Sequence, residues 1–419
     1  MKPGSHRTAR LSEASMTRRR FVGLSAGLAG SLAAQSFAIA KAQGAPLKVG
    51  VLLPRSGVQA GIGQDCQRGV DIAPGILKDL GLLELAIMNA DTETNVEVAR
   101  ARAERLIGEG AQLIVGAFDS GQSTAIAQVA EQKGIPYVIN IAAAPPITEQ
   151  GYKFVVRNFP RAGTIVASTF ELQKQLFSVS GKTPSKCVVL HVNDTYGTAI
   201  KGALNALYPK QNMPYQFADF IAYDPQARDL SVEVAKAKAT GAEIVLAVSR
   251  LNDAILITRE MVKQRWEPWG VIAAGPGWYE NQYMKTLGKL GDYPISCVPW
   301  FDPRKPLAQR MIAASLKMFP GQTVDTNTVY TFEAMLICAD AYKRAKSAAP
   351  PALMEAIKAT DIKDNASIGP GIGFDAKGQN DKLGLAAVQN FSGEAKVVLP
   401  LSSAERNVVF PIPGWRART

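Results

Sequence analysis

From Leu47 onward, short apolar runs alternate with stretches whose apolar residues recur every three or four positions. The run from Leu47 to Leu53, closed by Pro54-Arg55-Ser56-Gly57, predicts a buried strand ending in a turn. A helix over 64–80 and a strand over 85–89 follow. Val96, Ala99, Ala103, Leu106 and Ile107 share one helical face, and Gly108 and Gly110 end that helix. A strand over 112–116, a helix over 125–133 and a strand over 135–139 complete the series. The pattern then restarts. Strands over 186–192, 216–221, 243–248 and 270–274 alternate with helices over 197–207, 230–239 and 254–264. Two such series in succession predict an α/β fold of two doubly wound, Rossmann-like lobes. Ligands of these sheets sit in the loops at the carboxyl ends of the strands, so two facing loop sets predict a ligand cleft between the lobes.

The first forty residues break this pattern. Thr17-Arg18-Arg19-Arg20 precedes an uncharged stretch from Phe21 to Ala40, and small residues offer cleavage after Ala40 or after Ala42. A basic region, an apolar region and an Ala-x-Ala site together predict a bacterial export signal over residues 1–42, removed on maturation. Arg18-Arg19 resembles the pair of a twin-arginine leader. Met16 is an alternative start, since residues 1–15 add nothing such a leader needs. A membrane-spanning helix competes for the same stretch. Its Gly, Ala and Ser content, Gln35 and the cleavage pattern weigh against that reading. No later segment has 18 consecutive apolar residues, so the mature chain is expected to be periplasmic, soluble and not membrane-inserted.

Composition narrows the function. The 419 residues are 47% apolar and 20% charged, enough for a large core. The net charge of +11 is concentrated at the start. Seven basic residues stand against Glu13 alone in the first 42, a surplus of six that leaves five for the rest. That mild bias excludes the clustered basic surface of a nucleic-acid binder. Cys66, Cys187, Cys297 and Cys338 lie far apart with no CxxC, so neither a zinc site nor a redox pair is expected, and Cys187 and Cys297 read as core. His191, one of two histidines, sits in an apolar strand and reads as packed. Asp91 and Glu93 read as caps of the following helix. Gly369 to Gly373 reads as a turn. The first strand has no G-x-G-x-x-G after it, and the chain beyond residue 42 has no G-x-S-x-G. No catalytic constellation, metal site or cofactor is expected, which disfavours an exported enzyme.

Six blocks in order carry a resemblance. Lys48 to Pro54 with Ser56-Gly57 is similar to the opening of the leucine/isoleucine/valine-binding proteins, the cleft-type receptors of bacterial ABC importers. Asp91 to Asn95, Ile114-Val115-Gly116 leading to Ser120, Ile147 to Gly151, Asn193 to Gly197 and Phe374 to Asn380 follow in the family's sequence. The resemblance spans about 46–400. It implies a type I periplasmic binding protein with three crossings between lobes. The first lobe would hold 46–160 and 300–365, the second 161–299 and 366–419. It also implies a small-molecule solute and a membrane permease as partners, with no chemistry performed. A sensor that passes its signal to a membrane partner is the alternative role.

The resemblance also implies a ligand-binding set. Ser56 belongs to the opening block. Ser120 matches the family's carboxylate-binding serine, and a hydroxyl with free N–H groups at a helix start suits an anion. Ser120 or Ser123 could equally cap that helix. Ile141, Ala142 and Ala143 match the next contact loop, with Ala143 where amino-acid binders carry a Thr. Tyr196 matches an aromatic at the cleft wall. Gly277, beside Trp278, stands where amino-acid binders place a Glu for the ligand's ammonium, and Arg250 lies where a Tyr is lost. An acid is thereby lost and a cation gained. A buried ammonium without a counter-charge is costly. The expected solute is therefore a carboxylate without an α-ammonium, whether an aromatic acid, an aliphatic acid or an amide. The alternative is an ordinary branched-chain amino acid, with Arg250 turned to solvent and Glu280 supplying the acid.

Overall fold

The computed structural model describes residues 45–380 and 382–418. The expected leader over 1–42 lies outside them. No helix among the described residues is long and apolar enough to cross a membrane.

The first series forms a parallel five-stranded sheet from β1 (Leu47–Leu53), β2 (Leu85–Asp91), β3 (Leu113–Gly116), β4 (Tyr137–Ile139) and β5 (Val155–Arg157), in the order β2-β1-β3-β4-β5. Helices α1 (Ala60–Asp79), α2 (Val96–Gly108) and α3 (Ser120–Lys133) connect the first four strands. The strands read as continuous apolar runs because both faces are covered. Val49 and Val51 of β1 pack in a core with Val70 and Ala73 of α1, while Leu52 joins Ala103 and Leu106 of α2 on the other face.

After α4 (Ala162–Ser180) the second series repeats the plan. Strands β6 (Lys186–Val192), β7 (Gln216–Tyr223), β8 (Ile244–Val248), β9 (Gly270–Ala273) and β10 (Ile295–Pro299) alternate with α5 (Thr195–Leu207), α6 (Ser231–Ala239), α7 (Leu251–Lys263) and α8 (Asn281–Leu287). The chain then runs through α9 (Pro306–Met318), α10 (Thr326–Ala345) and α11 (Pro350–Lys358). A small antiparallel pair follows, β11 (Asp361–Ile362) with β12 (Ile372–Gly373). Strands β13 (Leu385–Phe391) and β14 (Glu394–Leu399) complete a seven-stranded sheet in the order β14-β13-β10-β9-β8-β6-β7, and α12 (Trp415–Arg418) ends the description. Strands β6 to β10 run parallel, while β13 and β14 are added antiparallel.

Helix α10 packs along α1 and reaches β3 and β4, so residues remote in sequence cover the first sheet. Those contacts leave α10 buried on nearly every side. Two local readings change. Asn95, not Asp91 or Glu93, caps α2, accepting from Glu97 N and Val98 N. Asp91 instead accepts N–H groups of Arg55 at 2.9 Å and Ser56 at 3.2 Å, tying the loop after β1 to the end of β2. Helix α3 begins at Ser120 rather than near Ala125, and Asp119 caps it. His191 is buried in β6, and all four cysteines are buried and unpaired.

Candidate functional site

Each sheet reverses its winding once. In the first, β1 has β2 on one side and β3 on the other. In the second, β6 has β7 and β8. The loops leaving the two flanking strands diverge at such a point and open a crevice at the carboxyl ends. The loop after β3 carries Phe118, Asp119 and Ser120. The loop after β6 carries Asp194, and the loop after β8 carries Ser249 and Arg250. The two crevices meet around one cavity of about 40 Å³. That space suits a few ordered waters or one small flat group.

Six residues of the expected set line this cavity: Ser120, Ile141, Ala142, Ala143, Tyr196 and Arg250. Ser56, Gly277 and Trp278 are not on its wall. Ser56 is engaged behind the loop after β1, where its carbonyl accepts from the Thr94 hydroxyl at 2.7 Å. Trp278 is buried with its indole N–H donating to Ser249 Oγ at 2.6 Å, and its neighbour Tyr279 faces the cavity instead. Phe118, Phe159, Thr326 and Asn327 are among the wall residues beyond what the sequence suggested.

One polar end of the cavity centres on Ser120. Asp119 caps α3 by accepting Gly121 N and Gln122 N, which leaves the Ser120 side chain free of capping duty. Ser120 Oγ accepts long bonds from Ala143 N at 3.3 Å and Ala144 N at 3.4 Å, so its own proton is available to an acceptor in the cavity. The facing loop is held from behind by Arg157. This side chain has no exposed surface and donates to the carbonyls of Ala142 at 3.1 Å and Ala144 at 2.7 Å. A lone Arg closing the apolar strand Val155-Val156-Arg157 was the only sequence signal for it.

Aromatic rings form much of the remaining wall. Phe118 adopts φ 75°, a region bulky residues occupy only when their surroundings impose it, and Asn140 Oδ1 accepts its N–H at 3.1 Å. Tyr279 stands edge-on to Trp300 at 5.1 Å between centroids. The Tyr196 hydroxyl donates to the Ala274 carbonyl at 2.8 Å, and burial pushes that phenol well above its usual range. No side chain fits at Gly275, where a Cβ would meet the Tyr196 hydroxyl at 1.8 Å.

Arg250 is neither turned to solvent nor unpaired. Its Nη2 donates to Asp119 Oδ2 at 2.8 Å, its Nη1 donates to Asp194 Oδ2, and its guanidinium lies 5.3 Å from the centre of the Tyr196 ring. Burial works against its charge, yet Asp119 and Asp194 outweigh that and hold the group above its ordinary value. Asp119 belongs to the first sheet's loops, and Arg250 and Asp194 to the second's. The ion pair therefore spans the cleft. Asn252 Nδ2 to the Val58 carbonyl, at 3.0 Å, spans it as well.

The acid question turns on Gly277 and Glu280. Gly277 has φ +98°, and a Cβ there would lie 2.6 Å from the Arg250 carbonyl carbon and oxygen. Glu280 is fully buried and is not on the cavity wall. One oxygen accepts Gly277 N at 2.9 Å and the other has no partner. Burial first, then Asp65 and Asp325, raise its carboxyl well above the usual range, which disfavours its charged form. Asn327 also keeps an unpartnered oxygen, Oδ1, beside the cavity.

A family model described as "Periplasmic binding protein" matches residues 46–390. Leu/Ile/Val-binding protein homolog 7 of Brucella suis biovar 1 is 26% identical over 383 residues, which cover 88% of this chain and 94% of the relative. Two solved structures superpose with a TM-score of 0.72. One is the branched-chain amino acid transporter substrate binding protein LivJ from Streptococcus pneumoniae in complex with isoleucine, at 15% identity over 88% of this chain and 100% of its own. The other is an ABC transporter solute binding protein from R. palustris in complex with benzoate, at 17% identity over 88% and 97%. At these identities the likeness of the structures speaks to the fold.

Proposed function

The chain belongs to the periplasmic binding protein family, and we propose that it receives a small carboxylate lacking an α-ammonium group and hands it to the permease of an ABC importer. The fold is that of the type I members, two parallel-dominated sheets with the cavity between their loops. Exported to the periplasm, the protein would close its two lobes on the solute, and the closed form would be what the permease recognises.

One observation carries the choice of solute. The cavity wall holds one cationic side chain, Arg250, and no carboxylate. Gly277 has no room for one, and Glu280 lies behind the wall, where burial disfavours its charged form. An ammonium would have no counter-charge at contact distance, a costly state in a desolvated cavity. A carboxylate would meet the Ser120 hydroxyl, whose proton is not engaged by Ala143 or Ala144. Phe118, Phe159, Tyr196 and Tyr279 suit a flat aromatic ring, which favours an aromatic acid. Relatives of similar likeness hold isoleucine and benzoate, so the cavity chemistry is what supports the acid. The second reading, an amide or a branched-chain amino acid, is favoured by Asn327 Oδ1, which an N–H donor of the solute would satisfy.

A thermal-shift screen of the purified protein against benzoate and other aromatic acids, aliphatic acids, benzamide and leucine tests this. A solute at a hundred times its Kd adds about 2.7 kcal/mol, a shift of several degrees. The proposal expects that shift with acids and none with leucine. Sub-micromolar binding of leucine would overturn it.

A further inference from the structure

Arg250 separates the cavity from a second, larger void. It lines both the inner space of about 40 Å³ and an outer one of about 470 Å³. The outer void lies between Val58 and Gln59, which follow β1, and Arg228, Asn252 and Arg259, which follow β7 or sit on α7. It is thus a vestibule bounded by loops from both sheets and contiguous, through one side chain, with the proposed solute site.

Its charge is one-sided. Three guanidinium groups, those of Arg228, Arg250 and Arg259, border it, against one carboxylate, Asp253. Asp253 is committed: it accepts Arg250 N at 2.9 Å and the Tyr223 hydroxyl at 3.3 Å. Arg250 is committed to Asp119 and Asp194. Arg228 and Arg259 are exposed, and neither has an ion-pair partner among the described residues. The acids nearest them in sequence are taken up elsewhere. Asp229 accepts Ser231 N at 2.6 Å, and Glu260 pairs with Lys263 at 3.0 Å. Two cations with no ion pair among the described residues therefore stand on the rim of a void that adjoins, across Arg250, the cavity holding Ser120.

We propose that this vestibule is the encounter site for the carboxylate of the incoming solute, which Arg228 and Arg259 attract and hold before it passes Arg250 to Ser120. The inference rests on the carboxylate reading above. Charges lining a concave, low-dielectric wall concentrate an oppositely charged solute and raise its association rate. Rim charges of this kind act on association and its salt dependence and leave dissociation nearly unchanged. Because both side chains are exposed, the double variant Arg228→Ala/Arg259→Ala should keep the fold, which an unchanged melting temperature verifies.

The test is stopped-flow association of benzoate with the full chain, followed by tryptophan fluorescence, with benzamide as the neutral counterpart. In roughly 10 mM salt the double variant should bind benzoate about three- to tenfold more slowly than wild type, and in roughly 500 mM salt less than about twofold more slowly, because screening erases the rim's field. Dissociation should change by less than about twofold, and benzamide association should not change. Equal benzoate rates at low salt, or equal slowing of benzamide, would overturn the vestibule while leaving the solute class intact. If benzoate does not bind but another acid of the screen does, that acid serves in the same comparison. Failure of every aromatic and aliphatic acid of the screen to bind would overturn both proposals.

Discussion

Asp119→Asn tests whether the ion pair across the cleft governs closure. Asp119 Oδ1 accepts Gly121 N at 2.9 Å and Gln122 N at 3.1 Å, and an asparagine carbonyl can keep both bonds. Oδ2 is different. It accepts Arg250 Nη2 at 2.8 Å and Gln59 Nε2 at 3.1 Å, and an amide NH₂ there would turn a donor toward two donors. The side chains of Arg250 and Asp119 are 8% and 12% exposed, so solvent replaces little of what is lost. Removing one partner of a buried pair costs about 3–5 kcal/mol. Arg250 keeps Asp194 as a second counter-ion, which lowers the expectation to about 2–3 kcal/mol. Asp119 and Arg250 hang from different sheets, so cleft opening separates them and the loss falls on the closed state. Affinity for the tightest acid of the screen should then weaken roughly 30- to 140-fold, at about 1.4 kcal/mol per decade, while the ligand-free melting temperature moves little. Isothermal titration calorimetry with a melting scan of the free protein reads both. An unchanged Kd with a melting temperature lowered by several degrees would refute the reasoning, because the pair would then hold the fold rather than the closed form.

Three further outcomes are expected. Ser120→Ala should weaken binding of an acid roughly ten- to hundredfold, the worth of a hydrogen bond to a charged group, and titration against wild type checks it; equal affinities would move the carboxylate elsewhere. Gly277→Glu should lower the melting temperature without conferring leucine binding, since φ +98° and the Arg250 backbone 2.6 Å away leave no place for the side chain; a stable variant that binds leucine would contradict this. Glu280→Gln should change the pH dependence of stability. The Glu280 carboxyl is raised by burial and by Asp65 and Asp325, with Asp253 adding to it. The native state thus holds a proton that the unfolded chain releases near its usual value of roughly 4.3, and stability from this group is full below that pH and is lost as pH rises toward the folded value. Melting scans from pH 4 to pH 8 should show the variant gaining on wild type as pH rises, and a constant gap would mean that Glu280 is ionised.

Much of the architecture was legible in the chain. Strands such as Leu47–Leu53 and Lys186–Val192 stand out because burial on both faces forces apolar runs, and their alternation with helices declares the winding. Helix starts were less visible. Asp119 caps α3 and Asn95 caps α2, and neither differs in composition from the polar loop residues around it. Phe118 lies in the loop after β3 and could have been flagged by that place alone. Thr326 and Asn327 could not, since nothing near them in sequence marks a ligand wall. They join the cavity because α10 packs back along α1.

Arg250 and Gly277 draw the line between the two sources of information. Sequence by itself determined the α/β winding and the loops at which a ligand could sit, because periodicity is a local property, while the resemblance alone implied the exchange of an acid at Gly277 for a cation at Arg250. Tertiary structure alone decided what that cation does. Asp119 lies 131 positions before Arg250 and Asp194 lies 56 before it, and only the meeting of the two sheets' switch-point loops brings the three together. The same holds for Gly277, whose missing side chain is enforced by backbone 27 positions earlier in the chain. Charge pairing and steric exclusion depend on distance in space, which falls off within a few ångströms and bears no fixed relation to separation along the chain.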